Sequence, residues 1–78
     1  MTDSADKQID ITREVCPMTF VRTRLALDRM ASGQVLRVLL RGEEPRQRVP
    51  RTAEQLGHAV LSEETDAVGV TRLLIRRK

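Results

Sequence analysis

Seventy-eight residues, 40% hydrophobic and 32% charged, with one cysteine, one histidine, one phenylalanine and no tryptophan or tyrosine, describe a single small domain whose core must be aliphatic. Cys16 and His58 cannot make a disulfide or the four-ligand set of a structural zinc site, they lie too far apart in sequence to suggest a triad, and the four glycines stand singly rather than as a phosphate loop, so no metal or cofactor is expected. The formal charge of +3, with twelve of the fourteen basic residues arginine, suits acidic partners, while a single aromatic ring argues against binding nucleic acid by base stacking.

Met1–Gln8 is polar and acidic, and reads as a flexible tail ahead of one domain spanning 9–78. Asp3 and Asp6 in that tail, with no apolar run behind them, do not resemble a signal peptide. No apolar stretch is long enough for a membrane span, so the expected compartment is a reducing cytoplasm, in which a lone thiol stays free.

Ile9–Thr12 alternates apolar and polar residues and predicts a first strand. After a turn at Arg13-Glu14-Val15, Cys16-Pro17 marks a helix start, because proline suits the first helical position. That helix is predicted to run from Pro17 to about Ala31, stopping at Ser32-Gly33. Phe20, Thr23, Leu27 and Met30 share the face expected to meet a sheet. Met18, Val21 and Leu25 form a second stripe, which either packs on another helix or stands exposed beside Cys16 to dock a partner. Packing is the preferred reading, since single exposed apolar residues are common.

Gln34–Leu40 is apolar except at Arg37 and predicts a central strand parallel to the first. Gly42-Glu43-Glu44-Pro45 should break it. Pro50 then leaves two options, a helix that starts there after a short turn or a kinked helix, and Gly57 ends either one. His58–Glu63, a turn over Thr65–Gly69 and Val70–Ile75 read as a terminal hairpin. The order βαβαββ predicts an α+β fold: a two-layer α/β sandwich in which a four-stranded mixed sheet carries two helices on one face.

Cys16 is the residue with the clearest chemical promise. A thiol at a helix N-terminus meets unpaired N–H groups and the positive end of the helix dipole, which favour thiolate. Pro17 has no N–H, so the amides of Met18 and Thr19 are the expected donors, with the Thr19 hydroxyl as a further donor or local cap. Arg13 reinforces the field and Glu14 opposes it. Chemistry alone leaves a reactive thiolate and a buried structural cysteine both open.

The run Ile11-Thr12-Arg13-Glu14-Val15-Cys16-Pro17-Met18-Thr19-Phe20, followed by Ser32-Gly33, Pro50, Gly57-His58 and the terminal Leu74–Lys78, resembles the TusA/SirA family of sulfur carriers. Thr19 replaces the second proline of that family's Cys-Pro-x-Pro motif, and Arg13 stands where better-known members carry glycine. The resemblance implies the fold already read from the pattern. It further implies that Cys16 accepts sulfane sulfur as a persulfide from a cysteine desulfurase or rhodanese-like donor and passes it to an acceptor protein. Sulfur relays of this family serve tRNA thiolation, cofactor supply and sulfur or selenium metabolism.

Such a chain is a sulfurtransferase in the sense of a shuttle, because no second cysteine can discharge the persulfide internally. Val21, Arg22, Leu25, Arg46, Arg48 and Arg51 are the candidate partner-docking residues, although a solvated charged face is the preferred reading of the arginines. His58 reads as structural. The alternatives are a small basic nucleic-acid-binding module and a thiol redox regulator.

Overall fold

The computed structural model describes residues 5–15 and 18–78. Its elements are β1 (Lys7–Asp10), α1 (Met18–Asp28), β2 (Val35–Arg41), α2 (Glu43–Gln55), β3 (Ala59–Thr65) and β4 (Val70–Arg76). The sheet order is β1-β2-β4-β3, with β1 parallel to β2 and the other two pairings antiparallel. This is the expected mixed sheet with both helices on one face. Leu36, Val38 and Leu40 of β2 and Leu73 and Ile75 of β4 are completely buried beneath Ala26 and Leu27 of α1 and Val49 and Ala53 of α2.

Strand β1 starts two residues before the predicted Ile9 and ends two residues before Thr12. Its start is set by Asp6, whose N–H donates to the Val35 carbonyl and whose carboxylate accepts the Val35 N–H, both at 2.8 Å. The ladder therefore includes Lys7 and Gln8, which the sequence reading places in the tail. Its end is set by the Asp10 carboxylate, which accepts the Thr12 N–H at 3.0 Å and the Thr12 hydroxyl at 2.7 Å, turning the chain away from the sheet.

Helix α1 stops at Asp28, short of the predicted Ala31, because its last turn tightens: Arg29 and Met30 donate to Ala26 and Leu27, three residues back. Arg77 Nε also donates to the Leu27 carbonyl at 2.7 Å, supplying a cation to the helix C-terminus. The buried positions Thr19, Thr23, Ala26, Leu27 and Met30 lie at helical spacing. Phe20, predicted to face the sheet, is instead half-buried against Val49 and Thr52 of α2.

The largest correction concerns α2. Gly42-Glu43-Glu44-Pro45 opens a helix immediately after β2 instead of a break, and of the two options at Pro50 the chain takes the one in which the helix runs through it. Pro45 falls in the first turn, where no N–H is needed, while Glu43 and Glu44 complement the positive end of the dipole. Pro50 forfeits one helical hydrogen bond, which the burial of Val49 and Ala53 on either side of it offsets. Gly57 ends the helix as expected: at φ 96° it donates to Glu54, and His58 donates to Ala53, the paired bonds of a Schellman stop.

Strands β2, β3 and β4 each extend one or two residues beyond their predicted ends, and β3 bulges between Val60 and Ser62. The hairpin turn is held by Asp66, whose carboxylate accepts the N–H groups of Val68 and Val70 at 3.0 Å each.

His58 precedes β3 and is buried, and its Nδ1 accepts the Lys78 N–H at 3.1 Å. That bond needs neutral Nδ1. Burial above all, then the charges of Lys78 and Arg77, hold its pKa below the ordinary 6.5. The folded state thus binds this proton less readily than the unfolded chain, so the stability linked to His58 is fully present above pH 6.5 and is lost as pH falls through the lowered folded value. Asp10 and Glu43, whose pKa values lie below 3.8 and 4.5, act only at lower pH. Denaturant titrations should show stability falling as pH drops from 7 toward 5 in the wild type, and a flatter profile in His58→Asn; parallel profiles would contradict the assignment.

Candidate functional site

The β1–α1 connection is the consequence of pairing two strands in parallel. A hairpin cannot join them, so the chain leaves the C-terminal end of β1, enters α1 and crosses back to β2. Crevices beyond the C-terminal ends of strands are where open α/β sheets place their chemistry. Cys16 and Pro17, the predicted centre of the site, lie in this connection in the sequence and outside the described residues. The site is therefore built from the residues around them.

On the N-terminal side, Glu14 donates its N–H to Ile11 at 3.1 Å, and the Asp10–Thr12 turn precedes it. The Thr12 hydroxyl, then the Thr12 N–H, with the charge of Arg13 adding to both, hold the Asp10 carboxyl below its ordinary range. Arg13 is exposed. Across the connection, the Met18 N–H donates to the Val15 carbonyl at 2.7 Å, which gives that amide a partner other than the sulfur it was expected to serve.

Glu14 is not a free negative charge. Arg22 Nε lies 3.5 Å from its carboxylate, joining the connection to the second turn of α1. Arg22, expected to dock partners, thus also offsets the residue expected to oppose a thiolate.

Thr19 is buried to 2% exposure and faces α2, in a small hollow with Phe20, Glu44, Pro45, Arg48 and Val49. Its carbonyl accepts the Thr23 hydroxyl at 2.8 Å. Thr19 acts as a packing residue of the helix pair.

The second stripe of α1 is not covered by a helix, contrary to the preferred reading. Met18 and Leu25 are 39% and 50% exposed. Together with Arg22 and Arg29 they form one wall of an open groove of about 560 Å³, whose other wall is Lys7, Ile9 and Ile11 of the β1 segment. Val21 is half-buried and does not line it. Lys7 was missed from the sequence because it was read as tail; the alternation Lys7-Gln8-Ile9-Asp10-Ile11 carried the signal.

The α2 arginines are placed elsewhere. Arg46 pairs with Glu43 at 2.8 Å and Arg48 with Glu44 at 3.4 Å, along the helix surface. The Arg46 hydrogen bond, then its charge, draw the Glu43 pKa down. Arg48 borders both the hollow beside Thr19 and the outer side of α2, where it is joined by Arg51, Gln47, Thr52 and Gln55. Of the six expected docking residues, then, Arg22 and Leu25 share the groove next to the connection, and Val21, Arg46, Arg48 and Arg51 do not. Among the described residues no three His, Cys, Asp or Glu side chains come together as a metal site, and no helix is long and apolar enough to cross a membrane.

Residues 7–77 match the family model described as sulfurtransferase TusA. The chain is 45% identical over 74 residues to an Archaeoglobus fulgidus protein named "Putative sulfur carrier protein", covering 95% of this chain and 84% of that protein. A Thermotoga maritima protein of the same name is 40% identical over 63 residues, covering 81% and 77% of the two chains. The crystal structure of a SirA-like protein from Desulfitobacterium hafniense superposes with a TM-score of 0.79 at 28% identity, covering 90% of this chain and 95% of that one.

The Glu14–Arg22 pair makes an electrostatic prediction about the thiol two positions beyond Glu14. Arg22→Ala leaves the Glu14 carboxylate uncompensated and should raise the Cys16 pKa, whereas Glu14→Gln should lower it. The pH dependence of alkylation by iodoacetamide measures both, and shifts of the same sign would refute this account.

Proposed function

The chain belongs to the TusA sulfurtransferase family, and from that premise we propose that it carries sulfur as a persulfide on Cys16, between a donor protein and an acceptor protein. The observation that supports this most directly is the count and place of the thiol: one cysteine, in the sequence immediately ahead of α1 and inside the segment that matches the family.

The transfer balances without an external oxidant. The Cys16 thiolate attacks the outer sulfur of a donor persulfide, a new S–S bond forms, the donor's S–S bond breaks, and the donor leaves as thiolate. In the second step a nucleophile of the acceptor, such as a cysteine thiolate, attacks the terminal sulfur and Cys16 leaves as thiolate. With no second cysteine in the chain, the persulfide cannot collapse into an internal disulfide. A cysteine desulfurase or a rhodanese-like protein is the donor class this chemistry calls for.

Specificity then rests on docking. The groove between β1 and α1 offers two exposed apolar side chains, Met18 and Leu25, bordered by three cations, Lys7, Arg22 and Arg29, and by one carboxylate, Asp10. It suits a partner surface that presents an apolar side chain beside carboxylates. Within this reading Thr19 supports the site through its packing on α2, and Arg13 through its positive charge near the connection.

Mass spectrometry after incubation with cysteine and a cysteine desulfurase tests the proposal. Wild type should gain the mass of one sulfur atom and Cys16→Ala should not. An unmodified wild type with both desulfurase and rhodanese donors would refute it. Leu25→Ser should slow loading by the protein donor while leaving the rate of alkylation by iodoacetamide unchanged, and equal loading rates would remove the groove from docking.

A further inference from the structure

The face of the sheet turned away from the helices carries a pattern that sulfur transfer does not use. Leu36, Val38 and Leu40 of β2 and Thr71, Leu73 and Ile75 of β4 point to the helices, so the alternate residues of both strands point the other way. The antiparallel register sets Val35 beside Arg76, Arg37 beside Leu74, Leu39 beside Arg72 and Arg41 beside Val70. Each row of the ladder holds one guanidinium and one aliphatic side chain, and the arginine changes strand at every row. Successive rows are about 7 Å apart, so the four cations zigzag over roughly 20 Å. The four aliphatic side chains are only half-buried, and no described helix or strand packs on them.

We propose that this open face docks an acidic partner protein, one that presents carboxylates interleaved with aliphatic side chains. Charge complementarity is the first argument. Arg72 reaches Glu64 at 3.4 Å and Arg37 donates to the Gln8 side chain at 3.0 Å, while Arg41 and Arg76 have no carboxylate within ion-pair distance among the described residues. Guanidinium groups in a fixed row pair bidentately with carboxylates.

The interleaving chooses among polyanions. A nucleic-acid strand would satisfy the guanidinium groups but leave the aliphatic member of each row in water, and this face has no aromatic ring on which a base could stack, since the chain's one ring is Phe20 on α1. A second copy of the chain would set arginine rows against arginine rows. A protein surface alone covers both members of each row. Because the face lies across the sheet from α1 and α2, its occupant leaves the β1–α1 groove open.

The inference is independent of sulfur chemistry and is tested on Cys16→Ala protein. The probe is an eight-residue peptide of alternating Glu and Val, compared with an alternating Glu and Ser peptide of equal charge and with oligothymidylate. The Glu–Val peptide should bind about tenfold more tightly than either control, with NMR amide shifts concentrated on β2 and β4. Joint charge reversal by Arg41→Glu and Arg76→Glu should weaken it about tenfold, whereas Arg48→Glu with Arg51→Glu on α2 should not. Absence of binding at low salt, equal or tighter binding of either control, or shifts that map to the helices would overturn the proposal.

Discussion

The parallel pairing of β1 with β2 is the constraint from which the rest of the molecule follows. Four residues of β1 align with Leu36–Leu39, and the two strands run the same way, so the chain between them must travel the length of the sheet. Helix α1 is that return path. Its apolar face covers Leu36, Val38 and Leu40, and its N-terminus falls beyond the end of β1. A hairpin at this place would have left β2 uncovered and provided no helix start for a thiol to precede. The lock on the pairing is short: Asp6 joins Val35 at one end, Ile11 donates to Leu39 at the other, and the Asp10–Thr12 turn ends the strand.

How much of this was legible in the sequence varies with the range of the physics involved. The element order, the mixed sheet and the Gly57 stop were legible because periodicity and glycine chemistry act within a few residues. The boundaries were less so. Lys7 and Gln8 look like tail until Val35 is known to meet Asp6, and α1 ends early in a tightened turn whose Leu27 carbonyl also accepts from Arg77, fifty positions away. Pro50 left open whether α2 begins there or runs through it. Local propensity disfavours proline there, and the burial of Val49 and Ala53 overrides it, a tertiary effect that no window of sequence contains.

The candidate site divides along the same line. Cys16, the residue proposed to carry sulfur, is singled out by type and place alone, since one thiol ahead of a helix is a local statement. Its surroundings are not. The groove depends on the β1 segment and α1 facing each other across it, and the Arg22–Glu14 pair joins residues on either side of the connection. Thr19 was read as a polar helper of the thiol because hydroxyls are donors; its burial against α2 reflects the spacing it shares with Thr23, Ala26 and Met30.

The arginines show why net charge alone was a poor guide. Arg46, Arg48 and Arg22 are each matched by a carboxylate within 4.0 Å, and Glu43 and Glu44 meet theirs on the same helix. Such exposed pairs contribute little to stability, but they do cancel much of the field that a count of basic residues would assign to that surface. The cations not cancelled in this way include Arg41 and Arg76 on the far side of the sheet, and Lys7 and Arg29 beside the groove, where no carboxylate of the described residues comes within ion-pair distance. The sheet thus separates two unlike surfaces. One is apolar with a basic rim and lies next to the thiol connection; the other is a regular arginine and aliphatic lattice. In the proposed relay a chain with one thiol depends on other proteins both to load and to unload it, and two docking surfaces on opposite sides of one sheet would let it meet a second protein without surrendering the first.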